Sequence, residues 1–309
     1  NIINTANDIT NIYNKSKGTV NIDGTNIKLQ SSSYSVYSIE NNGGIINIDN
    51  ATIFGSESIN NESGTININN SNLTGGVKNT GAGIINVGKA DSDNNTDSLT
   101  TMTSSIENRE SNIFIYNGST VSGTITNYSG NIYIYKGGTI GGLENHNGLV
   151  EVYGMINGRL NSVYNSSTGY GIKIYEGSVI TTPIENYSGN IEVYGATLNK
   201  ITNRYDGTIN IRNSTTDSIK NDGTINMYSG SILSSDIAVV NQRTFNLYGG
   251  NIESTANSGI SSDLSTSVIN IGAKGDVDEN NNLIVSNESP IIKGKNYGIF
   301  GKNVKNMAI

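Results

Sequence analysis

A triplet of an aliphatic residue, any residue and Asn recurs along this chain at a nearly constant spacing. Nine of the eleven gaps between successive copies are 17 to 21 residues long. The Asn of the triplet is Asn14, Asn41, Asn61, Asn79, Asn108, Asn127, Asn145, Asn165, Asn186, Asn203, Asn221 and Asn241. A fixed period of this length predicts a solenoid, because one repeat is too short to bury a core alone whereas stacked repeats bury a continuous one.

Each triplet is followed by a turn and a short segment in which apolar and polar residues alternate. Ile113 and Ile115, for example, alternate with Phe114 and Tyr116. Alternation with period two is typical of strands, whose successive side chains point to opposite faces. The sequence therefore predicts an all-β protein, a single-stranded right-handed parallel β-helix of about 14–16 coils, each of roughly 19 residues.

The aliphatic residue and the Asn of the triplet have the same parity, so both point inward if the segment is extended. A lone buried Asn is costly, but an Asn stacked on the Asn of the next coil can form hydrogen bonds along the axis. We therefore predict an internal Asn ladder. The alternative is that these residues are solvent-facing turn asparagines.

The repeat extends over the whole chain, which predicts one elongated domain over residues 1–309. Its N-terminal coils, 1–58, are irregular, and its regular body spans 59–252 with a loop insertion at 89–105. Its C-terminal coils, 253–309, are again irregular. The chain begins and ends inside repeat-like sequence, which suggests a mature protein or a segment of a longer one.

The composition restricts the classes of function. The net charge is −7, from 19 basic and 26 acidic residues without a basic cluster, so we expect no nucleic acid partner. The sequence contains no long apolar run, so we expect no membrane insertion. There is no cysteine, which excludes disulfides and thiol chemistry. Asn accounts for 51 residues and apolar content is 34 %, a mixture also found in disordered chains, but the regular aliphatic spacing argues against disorder.

Two segments resemble known repeats. The unit at 223–232, Gly-Thr-Ile-Asn-Met-Tyr followed by Ser-Gly-Ser-Ile, resembles the repeats of bacterial cell-surface and autotransporter-type β-helical adhesins. The segment from Ile269 to Ile299 resembles repeats in large surface proteins of low-GC Gram-positive bacteria. The resemblance implies an extracellular protein displayed on a bacterial surface, and it names no ligand.

The same fold resembles pectate lyases and polygalacturonases, which carry clustered acidic groups with Arg or Lys, or paired aspartates with a His. This chain has one histidine, His146, and no Asp-Asp pair. Acid–base catalysis needs positioned partners. We therefore expect no enzymatic activity, and a polysaccharide lyase or hydrolase is the least favoured interpretation.

A stripe of tyrosines is the first candidate binding site. The tyrosines end successive strands and are predicted to point outward; they are Tyr116, Tyr135, Tyr153, Tyr175, Tyr194, Tyr228 and Tyr248. Arg212 replaces Tyr in one coil, and Phe114 and Tyr133 widen the stripe. An exposed aromatic band suggests recognition of glycans or host proteins. The alternative is self-stacking that stabilises the sheet.

Two acidic loops are candidate calcium sites. Asp91, Asp93, Asn95 and Asp97 alternate oxygen ligands, and so do Asp276, Asp278, Asn280 and Asn282, as in the first half of an EF-hand loop. The glycine of the sixth position and the closing Glu are missing from both. Solvated polar loops are the alternative, and no other cofactor is indicated.

These patterns favour a non-enzymatic, extracellular structural or adhesive protein, which would be a rigid β-helical rod or a self-assembling fibre subunit. A β-helix can stack end to end on a second copy through its terminal strands. The alternative is an adhesin that binds surface glycans or host proteins through its tyrosine stripe.

Overall fold

The computed structural model describes residues 2–4, 12–29, 37–55, 57–89, 99–162, 171–272, 276–277, 283–284, 289–302 and 306–308. Among these residues there are 38 β-strands and no helix. The strands pair in parallel, except for one short antiparallel pair. The fold is therefore the predicted all-β parallel solenoid. Contacts within the chain define two compact units, Asn1–Gly158 and Arg159–Ile309.

The first unit contains eighteen strands. They are β1 (Ile2–Asn4), β2 (Ile12–Asn14), β3 (Thr19–Asp23), β4 (Asn26–Leu29), β5 (Ile39–Asp49), β6 (Thr52–Phe54), β7 (Glu57–Asn69), β8 (Asn72–Leu73), β9 (Gly76–Asn79), β10 (Gly83–Val87), β11 (Thr101–Met102), β12 (Ile106–Asn108), β13 (Ser111–Ile115), β14 (Thr120–Asn127), β15 (Gly130–Ile134), β16 (Thr139–Asn145), β17 (Val150–Val152) and β18 (Met155–Ile156).

The second unit contains twenty strands. They are β19 (Leu160–Ser162), β20 (Gly171–Ile174), β21 (Val179–Ile180), β22 (Ile184–Tyr194), β23 (Thr197–Leu198), β24 (Lys200–Arg212), β25 (Ser214–Thr216), β26 (Ser218–Asn221), β27 (Thr224–Met227), β28 (Gly230–Ser234), β29 (Val239–Asn241), β30 (Thr244–Leu247), β31 (Asn251–Ser254), β32 (Ile260–Ser262), β33 (Val268–Ile271), β34 (Asp276–Val277), β35 (Leu283–Ile284), β36 (Ile291–Gly294), β37 (Ile299–Gly301) and β38 (Asn306–Ala308).

Each turn has three sides. The first side ends in the Asn of the triplet, the second carries the alternating strand, and the third is a short strand. In one such turn β9, β10 and β11 form the three sides, and they pair with β12, β13 and β14 of the next turn. The described strands complete seven turns in the first unit and six in the second. Complete turns are fewer than the 14–16 coils predicted, because residues 88–100 and 272–290 separate sides of a single turn.

Aliphatic side chains stack in columns inside the turns. One column of the first unit contains Ile46, Ile66, Ile85, Ile113, Ile132 and Val150, all fully buried and paired in register. Burial of each such side chain stabilises the fold by about 1.5–3 kcal/mol. Because β-branched residues suit strands and pack well on their neighbours, the sequence places Ile at most of these positions.

Candidate functional site

The triplet asparagines point into the solenoid and form an internal ladder. The Nδ2 of each residue donates to the Oδ1 of the next. In the first unit, over 2.7–3.0 Å, the chain runs through Asn14, Asn41, Asn61, Asn79, Asn108, Asn127 and Asn145. In the second unit, over 2.8–3.0 Å, it runs through Asn186, Asn203, Asn221 and Asn241. All are buried. The inward orientation is confirmed, and the solvent-facing alternative is wrong.

The ladder asparagines also donate hydrogen bonds to backbone carbonyl groups of the turn that follows each Asn. Asn108 Nδ2 donates to the carbonyl of Ser111 at 2.9 Å, and Asn203 Nδ2 donates to that of Gly207 at 3.0 Å. Buried carbonyl groups need such partners, and a side-chain amide has two hydrogens to donate. One Asn therefore links two turns and closes one of them, which a Leu or Ser at this position could not do.

The predicted ladder residue Asn165 lies outside the described residues. In the backbone register, the pairing of β19 with β22 places Ser162 opposite Asn186. The Oδ1 atom of Asn186 is buried and has no hydrogen-bond partner among the described atoms.

The structure also contains outward amide columns, which the Ile-x-Asn triplet does not predict. On the second side of the first unit, Asn47 donates to Asn21, Asn67 to Asn47 and Asn86 to Asn67, over 2.7–2.8 Å. The second unit repeats this arrangement through Asn210, Asn226, Asn246 and Asn270, with bonds of 2.7 Å. The available signal was the Asn at a fixed place in strands such as Gly64-Thr65-Ile66-Asn67-Ile68.

The predicted tyrosines stack along the outer surface of each unit. In the first unit the ring centroids of Tyr116 and Tyr135 are 5.0 Å apart, and those of Tyr135 and Tyr153 are 6.5 Å apart. Phe114 and Tyr133 form a neighbouring pair at 5.0 Å. The interplanar angles of all three pairs are 12° or less, so each ring covers a face of the next.

The second unit has a longer stack that includes a cation. Tyr175 stacks on Tyr194 at 5.9 Å, and Tyr228 stacks on Tyr248 at 4.8 Å. The Arg212 guanidinium lies between these pairs, 5.3 Å from the Tyr194 ring and 4.3 Å from the Tyr228 ring. The stacking alternative therefore describes how most ring faces are used. Within these stacks, a ring that lies between two neighbours has both faces toward other side chains.

A groove lies at one end of the first tyrosine stack. Its volume is about 400 Å³, and its lining includes Tyr116, Gly88, Lys89, the amides of Asn67, Asn69 and Asn86, and the carboxylate of Asp49. Asn69 Nδ2 donates to Asp49 Oδ1 at 3.1 Å. Burial, followed by the neighbouring Tyr135 hydroxyl, raises the pKa of Tyr116, so its ring is uncharged at neutral pH. The groove thus combines one aromatic face with several polar groups.

Most of the candidate calcium ligands are not among the residues that the structure describes. Asp91, Asp93, Asn95, Asp97 and Asp278 lie outside the described residues. Asp276 begins β34, which pairs with β35, and its side chain is not described. Among the described residues, no three His, Cys, Asp or Glu side chains form a group that would hold a metal ion. Calcium binding therefore stays a prediction.

His146 belongs to another outward column. Its ring stacks on Tyr128 with a centroid distance of 4.9 Å, and its Nε2 atom is 3.2 Å from Glu144 Oε1. The Arg109 guanidinium lies on Tyr128, 5.1 Å from the ring centroid. The histidine is therefore part of a packed stack of flat side chains.

The fold and these columns define the class of protein: a parallel β-solenoid with an internal asparagine ladder and outward stacks of amides and tyrosines. Comparison with family models, curated proteins and solved structures finds no match. Within the described residues, no helical segment has the length and hydropathy needed to span a membrane.

Proposed function

We propose that this protein is a non-enzymatic, extracellular structural and adhesive protein of a bacterial surface. The observation that carries the proposal is the internal ladder, in which buried amides bond turn to turn through each unit. Such a ladder fixes the register, because a slipped turn would leave buried amides without partners. Outward side chains are then held in columns at a spacing of about 4.8 Å. A rigid scaffold of this kind supports repeated weak contacts with a surface.

The contacts of the ionisable side chains also favour this function over catalysis. Glu192 accepts hydrogen bonds from Asn210 and Arg212, and Glu185 accepts from Tyr187 and Arg159. His146 and Glu144 contact each other within a stack. Each of these ionisable groups is bonded to a neighbouring outward side chain. Contacts of this kind stabilise a surface, as expected of a structural protein.

An adhesion assay tests the proposal. Beads coated with the full chain are placed on immobilised bacterial and plant polysaccharides, on host glycoproteins and on a blocked surface. We expect retention on at least one surface, and release of reducing sugar no faster than from beads without protein. Retention no greater than on the blocked surface, or clear release of sugar, would refute the proposal.

Glycan recognition is a second, more specific candidate. It is favoured by the groove, where an aromatic ring face lies beside amide and carboxylate groups. Competition by soluble oligosaccharides in the same assay separates glycan recognition from binding to host protein.

Self-association through the strands of terminal turns is a further prediction. Electron micrographs of the purified chain would show filaments if this prediction is right and single particles if it is wrong. Adding Ca²⁺ to the same preparation tests whether calcium changes assembly.

A further inference from the structure

Two kinds of side-chain column meet at Gly88. The register of the second side places Asp49, Asn69, Gly88, Tyr116 and Tyr135 at the same position of successive turns. A carboxylate and an amide occupy the first two of these turns, and stacked phenols occupy the last two. Because glycine has no side chain, no side chain stands between Asn69 and Tyr116 at this register position of the described turns, where the backbone of Gly88 is buried.

The backbone at Gly88 explains why this gap is maintained. Its φ is +85°, a conformation that favours glycine. A Cβ atom at this position would also overlap the buried hydroxyl of Ser119. A substitution that placed a side chain here would therefore strain the turn. The gap is consequently a fixed feature of the turn.

The height of the gap suits one flat ring. Asn69 and Tyr116 are two turns apart, which corresponds to about 10 Å at the spacing of paired strands. A ring in contact with a neighbour on each side needs about 3.5–4.0 Å per contact, or about 8 Å in total. Tyr135 covers one face of Tyr116, and the other face lies toward the level of Gly88.

The polar groups around the gap indicate the chemistry of the ring. The outward amide column ends at Asn86, since its partner in the next turn is Phe114, which has no polar group to continue it. The Asp49 carboxylate and the Lys89 ammonium also line the groove, and their charges balance. An aromatic ligand would desolvate these groups without bonding them, at a cost in free energy. A sugar ring offers hydroxyls to them and C–H groups to Tyr116.

We propose that this notch binds one pyranose ring of a neutral polysaccharide, stacked on Tyr116 and hydrogen-bonded by Asn69 and Asn86. The inference deepens the adhesive function proposed above and rests on it. A related arrangement occurs in the second unit, where Gly272 is the register neighbour of Tyr248. There no described heavy atom lies within 4 Å of the Cβ position of Gly272.

Calorimetric titration of the full chain with cellohexaose and with chitohexaose tests the notch. We expect at least one of them to bind and Tyr116→Ala to weaken that binding about tenfold, or 1.4 kcal/mol. Tyr194→Ala is the matched control: it removes a tyrosine with covered faces, between Tyr175 and Arg212, and should leave affinity unchanged. Asn69→Ala, which keeps the aromatic stack, should weaken binding severalfold and serves if Tyr116→Ala fails to fold.

The outcomes separate this inference from the proposed function. Equal affinity in wild type, Tyr116→Ala and Asn69→Ala would overturn the notch, as would binding of N-acetyltryptophanamide with no binding of either oligosaccharide. If coated beads still adhere while Tyr116→Ala changes nothing, the adhesive function stands and the notch is rejected. If wild-type beads adhere to no surface, the adhesive function itself fails.

Discussion

Asn127 donates a hydrogen bond from its side-chain Nδ2 atom to the Oδ1 atom of Asn145, 2.8 Å away in the next turn. Both side chains are fully buried. Asn127 Nδ2 also donates to the carbonyl of Gly130 at 3.2 Å, and its Oδ1 accepts from Asn108 at 2.7 Å. Removing this one amide therefore disturbs three turns, since buried polar groups left without partners are costly.

Substitution of Asn127 by Leu should lower the free energy of unfolding by about 3 kcal/mol, because Asn145 Oδ1 and the Gly130 carbonyl each lose a donor and the Asn108 amide loses one of its acceptors. Thermal and urea unfolding measure the change. Asn72→Leu, at an exposed position of β8, is the control and should leave the melting temperature nearly unchanged. Equal melting temperatures for wild type and Asn127→Leu would contradict the energetic role given to the ladder.

The outward amide column should contribute less to stability than the internal ladder. Asn67→Ala removes two hydrogen bonds, to Asn47 at 2.8 Å and from Asn86 at 2.7 Å, but water reaches these half-buried groups. We expect a loss of about 1 kcal/mol by urea unfolding. A loss of unfolding free energy as large as that of Asn127→Leu would show that the difference in burial does not make the outward column less stabilising than the internal ladder.

Replacement of Arg212 by lysine should lower the free energy of unfolding. Its guanidinium lies between Tyr194 and Tyr228, and its NH1 atom is 2.7 Å from Glu192 Oε2. Lysine keeps the charge but loses the planar group that stacks on both rings. Arg212→Lys should therefore cost about 1 kcal/mol in urea unfolding. Stability equal to wild type would mean that charge alone accounts for the contact.

Glu185 should make stability depend on pH in the acid range. The hydrogen bond from the Tyr187 hydroxyl, at 2.5 Å, and the Arg159 guanidinium, at 2.7 Å, hold the pKa of Glu185 below its ordinary value of 4.5. A carboxyl whose pKa is lowered by folding contributes stability above its unfolded pKa and loses it as pH falls through the folded pKa.

The free energy of unfolding of wild type should therefore exceed that of Glu185→Gln at pH 7, and the difference should shrink as the pH falls below 4.5. Urea unfolding at several pH values measures it. Asp263→Asn removes an exposed carboxylate of the same unit and controls for loss of charge. A difference that is constant down to pH 3 would contradict the prediction.

The repeat of Ile-x-Asn was sufficient to predict the parallel solenoid and the inward ladder. Its period fixes which residues meet between turns, and its parity fixes which of them point inward. Pairs such as Ile113 with Ile132 follow directly from this register. The number of complete turns was overestimated, because a mean period cannot show where extra residues separate two sides of one turn, as they do between Val87 and Thr101.

The outer surface was less predictable, because parity says only that a side chain points away from the core. Parity does not show whether outward side chains of neighbouring turns contact each other or can contact another molecule. The rings of Tyr116 and Tyr135 lie face to face, and the Asn67 and Asn86 amides bond each other, so these outward neighbours are in contact. The groove depends on a glycine between unlike columns, which is evident only when five successive turns are aligned.

The two sets of amides point in opposite directions. In the internal ladder each N–H points toward the later turn, as from Asn127 to Asn145, whereas on the outer surface it points toward the earlier one, as from Asn86 to Asn67. Aligned side-chain amides have dipoles that add along their row. Two antiparallel rows partly cancel, so each further turn of such a protein adds less to the electric field along its axis than a single row of amides would.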